Sequence, residues 1–219
     1  MPWLYRIAGW IIPAVFGPRT RSTGTEHLPE GGFVLAANHV SNLDPFILGL
    51  PLWPGRCIRY MAKAELFNRW LGWAMRAIGT FPVRRGEADA DAMRTALQLL
   101  REGEIIGMFP EGTRARKGLR KKHVPKAHAG TARIALAAGV PLVPAAIAGT
   151  DRLLGRGRIS VAFGPPIEVA DLEALPRRQA AAVATERLMA AISSLAGQIG
   201  GDDGSSSIVR GGHTGEGER

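Results

Sequence analysis

The chain has a single cysteine, Cys57, among 219 residues, which excludes an intramolecular disulfide and any cysteine-rich zinc site and is compatible with a reducing cytoplasm. Such a lone thiol is expected to be buried and inert. Acidic residues are scarce relative to basic ones, 19 against 28, so the formal net charge is +9. That excess draws the molecule toward polyanions (nucleic acid, anionic lipid or phosphorylated substrates) without choosing among them. No apolar run reaches the roughly 18 to 20 residues that a membrane-spanning helix needs. There is no Walker A loop, no HExxH, no GxSxG nucleophile elbow and no paired CxxC, which removes P-loop nucleotide hydrolysis, zincin chemistry, α/β-hydrolase chemistry and dithiol redox chemistry together. From Gly200 onward glycine, serine and scattered charge leave almost nothing to bury, and residues 200–219 are expected to form a disordered tail without chemistry.

Aromatic residues are few but unevenly placed. Trp3, Tyr5 and Trp10 crowd the first ten positions, with Leu4, Ile7, Ile11, Ile12, Val15 and Phe16 around them; Arg6, Arg19 and Arg21 are present, and no acid occurs before Glu26. Indole and phenol rings favour the headgroup boundary and arginines favour anionic lipid, so Met1 to Gly17 reads as an interfacial helix in one leaflet. The early tryptophan and the missing small-residue cleavage pattern argue against a signal peptide. The competing expectation is a helix packed on the domain's own core.

After Gly31 and Gly32, short apolar runs alternate with segments of helical period, the sequence form of an α/β domain. Phe33 to Ala37, Arg59 to Ala62, Thr80 to Val83, Glu104 to Phe109, Leu142 to Ala148 and Ile159 to Phe163 read as strands. Leu66 to Ile78, Ala88 to Arg101, Thr131 to Ala138 and part of Arg177 to Ala196 read as helices. In the second helix Met93, Leu97 and Leu100 form the expected apolar face; in the last, Val183, Leu188, Ile192 and Leu195 form it. Gly103 and Gly139 supply helix stops. The expected architecture is one α/β domain over residues 25–199, with a mixed, mostly parallel sheet flanked by helices, preceded by an interfacial helix and linker over residues 1–24.

Two polar clusters fall where buried strands end, the place where open α/β sheets bind ligands. The first runs from Asn38 through His39, Val40, Ser41, Asn42 and Leu43 to Asp44 and Pro45. A carboxylate at one imidazole nitrogen fixes the tautomer and steadies the cation, leaving the other nitrogen to take a proton. His39 is thus a candidate general base and Asp44 its orienter, against the plainer readings of a structural histidine and of Asp44 as an N-cap ahead of Pro45. Ser41 has no elbow to make it a nucleophile, so direct transfer without a covalent enzyme intermediate is the simpler chemistry.

The second cluster is Phe109-Pro110-Glu111-Gly112-Thr113-Arg114. Gly112 permits a tight turn and close approach of a ligand to the backbone, while Arg114 offers the planar donors that suit phosphate. Arg85, after the strand ending at Val83, is a candidate to join it around one anion, against the plainer reading of either arginine as a solvated surface charge. Beyond lie Arg114, Arg116, Lys117, Arg120, Lys121, Lys122 and Lys126 without an acid, a segment suited to coenzyme A phosphates, lipid headgroups or nucleic acid, or simply a basic loop.

In this order the residues resemble the 1-acylglycerol-3-phosphate acyltransferase family, the phospholipid-synthesis branch of the glycerolipid acyltransferases. His39 through Asp44 is similar to the family's HxxxxD motif, Gly79 to Arg85 to its arginine-containing motif, Phe109 to Arg114 to its FPEGTR signature and Val140 to Pro144 to its later proline motif, over about residues 31 to 168. The resemblance implies that His39, oriented by Asp44, deprotonates the sn-2 hydroxyl of lysophosphatidic acid for attack on the thioester of acyl-CoA or acyl-carrier protein. It implies that Arg85, Glu111, Gly112, Thr113 and Arg114 form the glycerophosphate site, with no further cofactor and no metal. It also implies a peripheral or monotopic protein on the cytoplasmic face of the cell membrane, bound to anionic lipid and not to nucleic acid. Arg84 departs from the family's pattern, standing where many members carry an acidic or lysine residue. The remaining alternatives are the same chemistry on another lysophospholipid or aminolipid, and a non-catalytic basic protein that binds membrane or nucleic acid; the latter leaves His39, Asp44 and Glu111 without a reason to sit at strand ends.

Overall fold

The structure, a computed structural model, describes residues 3–68, 72–77, 79–84, 89–112, 127–152 and 157–201. Seven strands form one sheet: β1 (Thr20–Thr23), β2 (Phe33–Ala37), β3 (Ile58–Lys63), β4 (Phe81–Val83), β5 (Ile105–Met108), β6 (Leu142–Ala148) and β7 (Ile159–Phe163). Their spatial order is β1-β7-β6-β2-β5-β3-β4. Every neighbouring pair is parallel except β6 with β7, so β2, β3, β4, β5 and β6 all deliver their carboxyl ends to one edge. The α/β fold with its mostly parallel sheet is as expected.

β2 is the middle strand, and all five of its residues, Phe33-Val34-Leu35-Ala36-Ala37, are wholly buried. A strand covered on both faces reads as an unbroken apolar run, which is why it was legible without alternation. Its register, Val34 opposite both Ile106 and Leu142, places the turn after Ala37 between the ends of β5 and β6.

Three long helices cover one face of the sheet: α4 (Ala90–Arg101), α5 (Gly130–Ala138) and α6 (Arg177–Gly201). α4 begins where the Asp89 carboxylate accepts the N–H groups of Asp91 and Ala92, satisfying helix-end donors that would otherwise lack partners. Its buried seam is Ala92, Ala96 and Leu100, with Met93 packed at the margin. The expected face through Met93 and Leu97 was therefore turned slightly from the true one: the seam uses alanines, whose small side chains let the helix lie close to the sheet. In α6 the same substitution of small for large occurs, with Ala180, Ala184, Leu188 and Ile192 buried and Val183 only partly so.

The other face is covered by shorter pieces. α2 (Asp44–Gly49) seats Ile47 and Leu48 on Phe33, Leu35 and Ile58. α1 (Trp3–Phe16) lies beside α2 and α3 (Gly72–Ala77). The helix expected over Leu66 to Ile78 appears as a short turn of tight helix at Ala64–Phe67 and as α3. The segment 18–24, expected to be a linker, contains β1, whose polar residues pair in parallel with β7 at the sheet edge. The described part of the C-terminus is helical to Gly201; the tail expected from 200 onward otherwise lies outside the described residues.

Candidate active site

The edge where β6, β2 and β5 end carries the first polar cluster. Asn38 prolongs the β2–β6 pairing with its side chain: Nδ2 donates to the Ile147 carbonyl at 2.9 Å, and the Ile147 N–H donates to Oδ1 at 2.8 Å. This two-way clamp fixes the chain one residue before His39. The loop then turns back so that His39 Nδ1 lies 2.8 Å from Asp44 Oδ2.

Asp44 is wholly buried. Its Oδ2 also accepts the N–H groups of Val40 and Ser41, each at 2.7 Å, and its Oδ1 accepts the Thr150 hydroxyl at 2.6 Å. The N-cap reading of Asp44 is thus corrected. Asp44 is the first residue of α2, the cap position belongs to Leu43, and the carboxylate points back into the loop it closes. A carboxylate accepts hydrogen bonds and cannot donate them, so the Nδ1 facing Asp44 carries a ring proton, which in the neutral imidazole leaves the lone pair on Nε2. The His39 side chain is 17% exposed. The Ser41 hydroxyl accepts the Leu43 N–H at 3.3 Å and so helps shape the turn.

The second cluster adjoins the first through rings. Phe109 stacks on His39 with centroids 4.1 Å apart and planes 19° from parallel, and Tyr60 stacks on Phe109 at 5.9 Å. The Tyr60 hydroxyl donates to the Pro45 carbonyl at 2.8 Å, closing a circuit from His39 through Asp44, Pro45, Tyr60 and Phe109 back to His39. Gly107 on β5 makes room for it: a Cβ there would lie 2.3 Å from Tyr60 Cε1. Gly112 has φ of 68°, a left-handed conformation that a side chain would strain, and a Cβ would also lie 2.7 Å from the His128 ring. The His128 N–H donates to the Pro110 carbonyl at 2.9 Å, tying this loop to the start of α5.

The structure therefore brings together His39 and Asp44, and places Glu111 and Gly112 on the loop that Phe109 begins beside them. Arg85, Thr113 and Arg114 lie outside the described residues, as does the basic run through Lys126. Arg84, at the end of β4, turns toward the start of α4: its guanidinium is 3.7 Å from Asp89 and 3.6 Å from Asp91. The Arg84 N–H, and after it that of Ala92, hold the Asp89 carboxyl below the usual carboxylate range. Thr150, Asn38, Tyr60 and His128 were not singled out as site residues by sequence. The rule that located His39, a polar residue just past the carboxyl end of a buried strand, applies equally to Thr150 after β6. Among the described residues no three His, Cys, Asp or Glu side chains gather as a metal-binding group.

Residues 19–148 match the family model described as acyltransferase. The 1-acyl-sn-glycerol-3-phosphate acyltransferase of Bacillus subtilis is 37% identical over 179 residues, which cover 80% of this chain and 86% of that protein. The chain belongs to the 1-acyl-sn-glycerol-3-phosphate acyltransferase family. A relative of the same name from Streptococcus pneumoniae is 32% identical over 156 residues, covering 68% of this chain and 56% of that one. Among solved structures, the 1-acyl-sn-glycerophosphate acyltransferase PlsC of Thermotoga maritima shares the fold, with a TM-score of 0.57, 24% identity, and coverage of 89% of this chain and 83% of that one. For a member of this acyltransferase family, a lysophospholipid acceptor and an acyl donor are the implied substrates, as the resemblance had it.

Proposed function

We propose that the protein transfers a fatty acyl group from acyl-CoA or acyl-carrier protein to the sn-2 hydroxyl of lysophosphatidic acid, giving phosphatidic acid. The observation that carries this reading is the His39–Asp44 contact of 2.8 Å at the end of β2, with the Glu111–Gly112 loop alongside, in a chain of this family. His39 Nε2 takes the hydroxyl proton as the oxygen attacks the thioester carbonyl. The ester C–O bond forms, the C–S bond of the collapsing adduct breaks, and the imidazolium returns its proton to the leaving thiolate. Asp44 holds the tautomer and stabilises the transient cation. No group other than the two substrates is required. Arg85, Glu111, Gly112, Thr113 and Arg114 hold the acceptor's phosphate and glycerol.

The acceptor reaches the site from a membrane surface. No helix among the described residues is long and apolar enough to cross a bilayer, while Trp10, Ile11 and Val15 of α1 are 70%, 57% and 56% exposed. Large apolar side chains held in water on a helix beside Arg19 and Arg21 support an interfacial seat on anionic lipid, at the cytoplasmic face of the cell membrane.

The test is a substrate panel. Purified protein is given vesicles of anionic lipid containing lysophosphatidic acid, lysophosphatidylcholine, lysophosphatidylethanolamine or an aminolipid, each with labelled acyl-CoA or acyl-carrier protein. Labelled phosphatidic acid as the dominant product is expected. Preference for another acceptor would replace lysophosphatidic acid in the reading, and no transfer from either donor to any acceptor would overturn it.

A further inference from the structure

We infer that Thr150 is a positioning residue of the acyl-transfer site, acting through Asp44; the inference rests on the reading of His39 and Asp44 as the catalytic pair. Three contacts converge on Asp44 Oδ2, from His39, Val40 and Ser41, all within five residues of it. Oδ1 receives only the Thr150 hydroxyl among the described residues, at 2.6 Å and from 106 positions away. Both residues are buried, Asp44 wholly and Thr150 to 1% exposure, so the contact is closed to bulk water.

Without that donor, Oδ1 is a buried carboxylate oxygen with no partner, a costly state. The carboxylate then gains by turning about its Cβ–Cγ bond to share the two backbone N–H groups between its oxygens, which takes Oδ2 out of line with His39 Nδ1. Thr150 opposes this rotation from the turn just after β6, the strand whose Ile147 clamps Asn38. β6 and the turn after it therefore grip the loop at both ends, by Ile147 on Asn38 before His39 and by Thr150 behind Asp44. Thr150 touches neither nucleophile nor thioester, and its effect on rate passes through the orientation of one imidazole.

The test compares Thr150→Val, Thr150→Ala and Thr150→Ser with wild type by steady-state acyl transfer to lysophosphatidic acid and by the downfield proton resonance of His39 Nδ1–H. Thr150→Val, which keeps the shape, is expected to lower kcat by about tenfold to a hundredfold, the range for a lost hydrogen bond to a charged group. KM for both substrates should stay within about threefold, and the resonance should shift or broaden. Thr150→Ser, which keeps the hydroxyl, should retain kcat within about threefold and the wild-type resonance. Wild-type kcat and an unmoved resonance in Thr150→Val or Thr150→Ala would overturn the inference. So would a Thr150→Ser protein as impaired as the valine variant, whether or not the valine variant folds. If wild type transfers to no acceptor, the catalytic reading fails while the resonance still decides whether Thr150 orients the pair.

Discussion

At the end of β2, His39 and Asp44 are hydrogen-bonded to each other, Asn38 before them is clamped to Ile147 of β6, and Asp44 accepts the buried Thr150 hydroxyl from the turn after β6. At the end of β5, the strand that pairs with β2, the loop from Phe109 to Gly112 is shaped by ring stacking, by a left-handed glycine and by a backbone hydrogen bond from His128. The difference suits the two tasks proposed for these ends. A proton-transfer pair must be fixed in direction to a fraction of an ångström, which directional bonds in a dry setting do well. A loop that receives a headgroup must be shaped yet open, which a glycine turn and an aromatic floor allow.

Variants that break one end should therefore leave a different kinetic signature from those that break the other. The largest loss belongs to the β2 end: His39→Ala is expected to lower kcat about a thousandfold or more with little change in either KM, measured by steady-state transfer on vesicles. Asp44→Asn comes next, at about a hundredfold or more in kcat, because an amide at this position can present an N–H to His39 and favour the wrong tautomer. At the β5 end, Gly112→Ala is expected to act chiefly on KM for the lysophospholipid, raising it about tenfold as the left-handed turn and the His128 contact are disturbed. The smallest effect lies away from both ends. Asp89→Ala removes the α4 cap and should lower the melting temperature by a few degrees while leaving kcat unchanged. Because the folded state holds the Asp89 carboxyl below its usual range, this contribution is present above the ordinary carboxylate pKa and is lost as pH falls through the depressed value, so the wild-type and variant melting curves should converge in acid.

The same contrast governs what the sequence disclosed. β2, β6 and β7 were readable because burial on both faces, or nearly so, leaves continuous apolar runs, and their limits matched or nearly matched the structure. β1 was not, since Thr20-Arg21-Ser22-Thr23 is polar throughout and is a strand only because β7 offers it an edge. In the α4 and α6 seams Leu100, Leu188 and Ile192 are buried as expected, while the alanines beside them were missed because alanine at a helix–sheet contact gives a weak hydrophobic signal. In the site, the short-range pair of His39 and Asp44 was legible from spacing and resemblance. Thr150 and Tyr60 were not: their contacts to Asp44 and Pro45 depend on strand order, which places the ends of β6 and β3 around β2 and β5 and which no local pattern encodes.

The most direct test of the catalytic claim is a single-turnover reaction, with enzyme in excess over labelled acyl donor and lysophosphatidic acid supplied on vesicles, run for wild type and His39→Ala. Direct transfer with His39 as base requires label to pass from donor to phosphatidic acid without appearing on the protein, and to do so about a thousandfold more slowly in the variant. Label that accumulates first on the protein, or a His39→Ala rate equal to wild type, would contradict it.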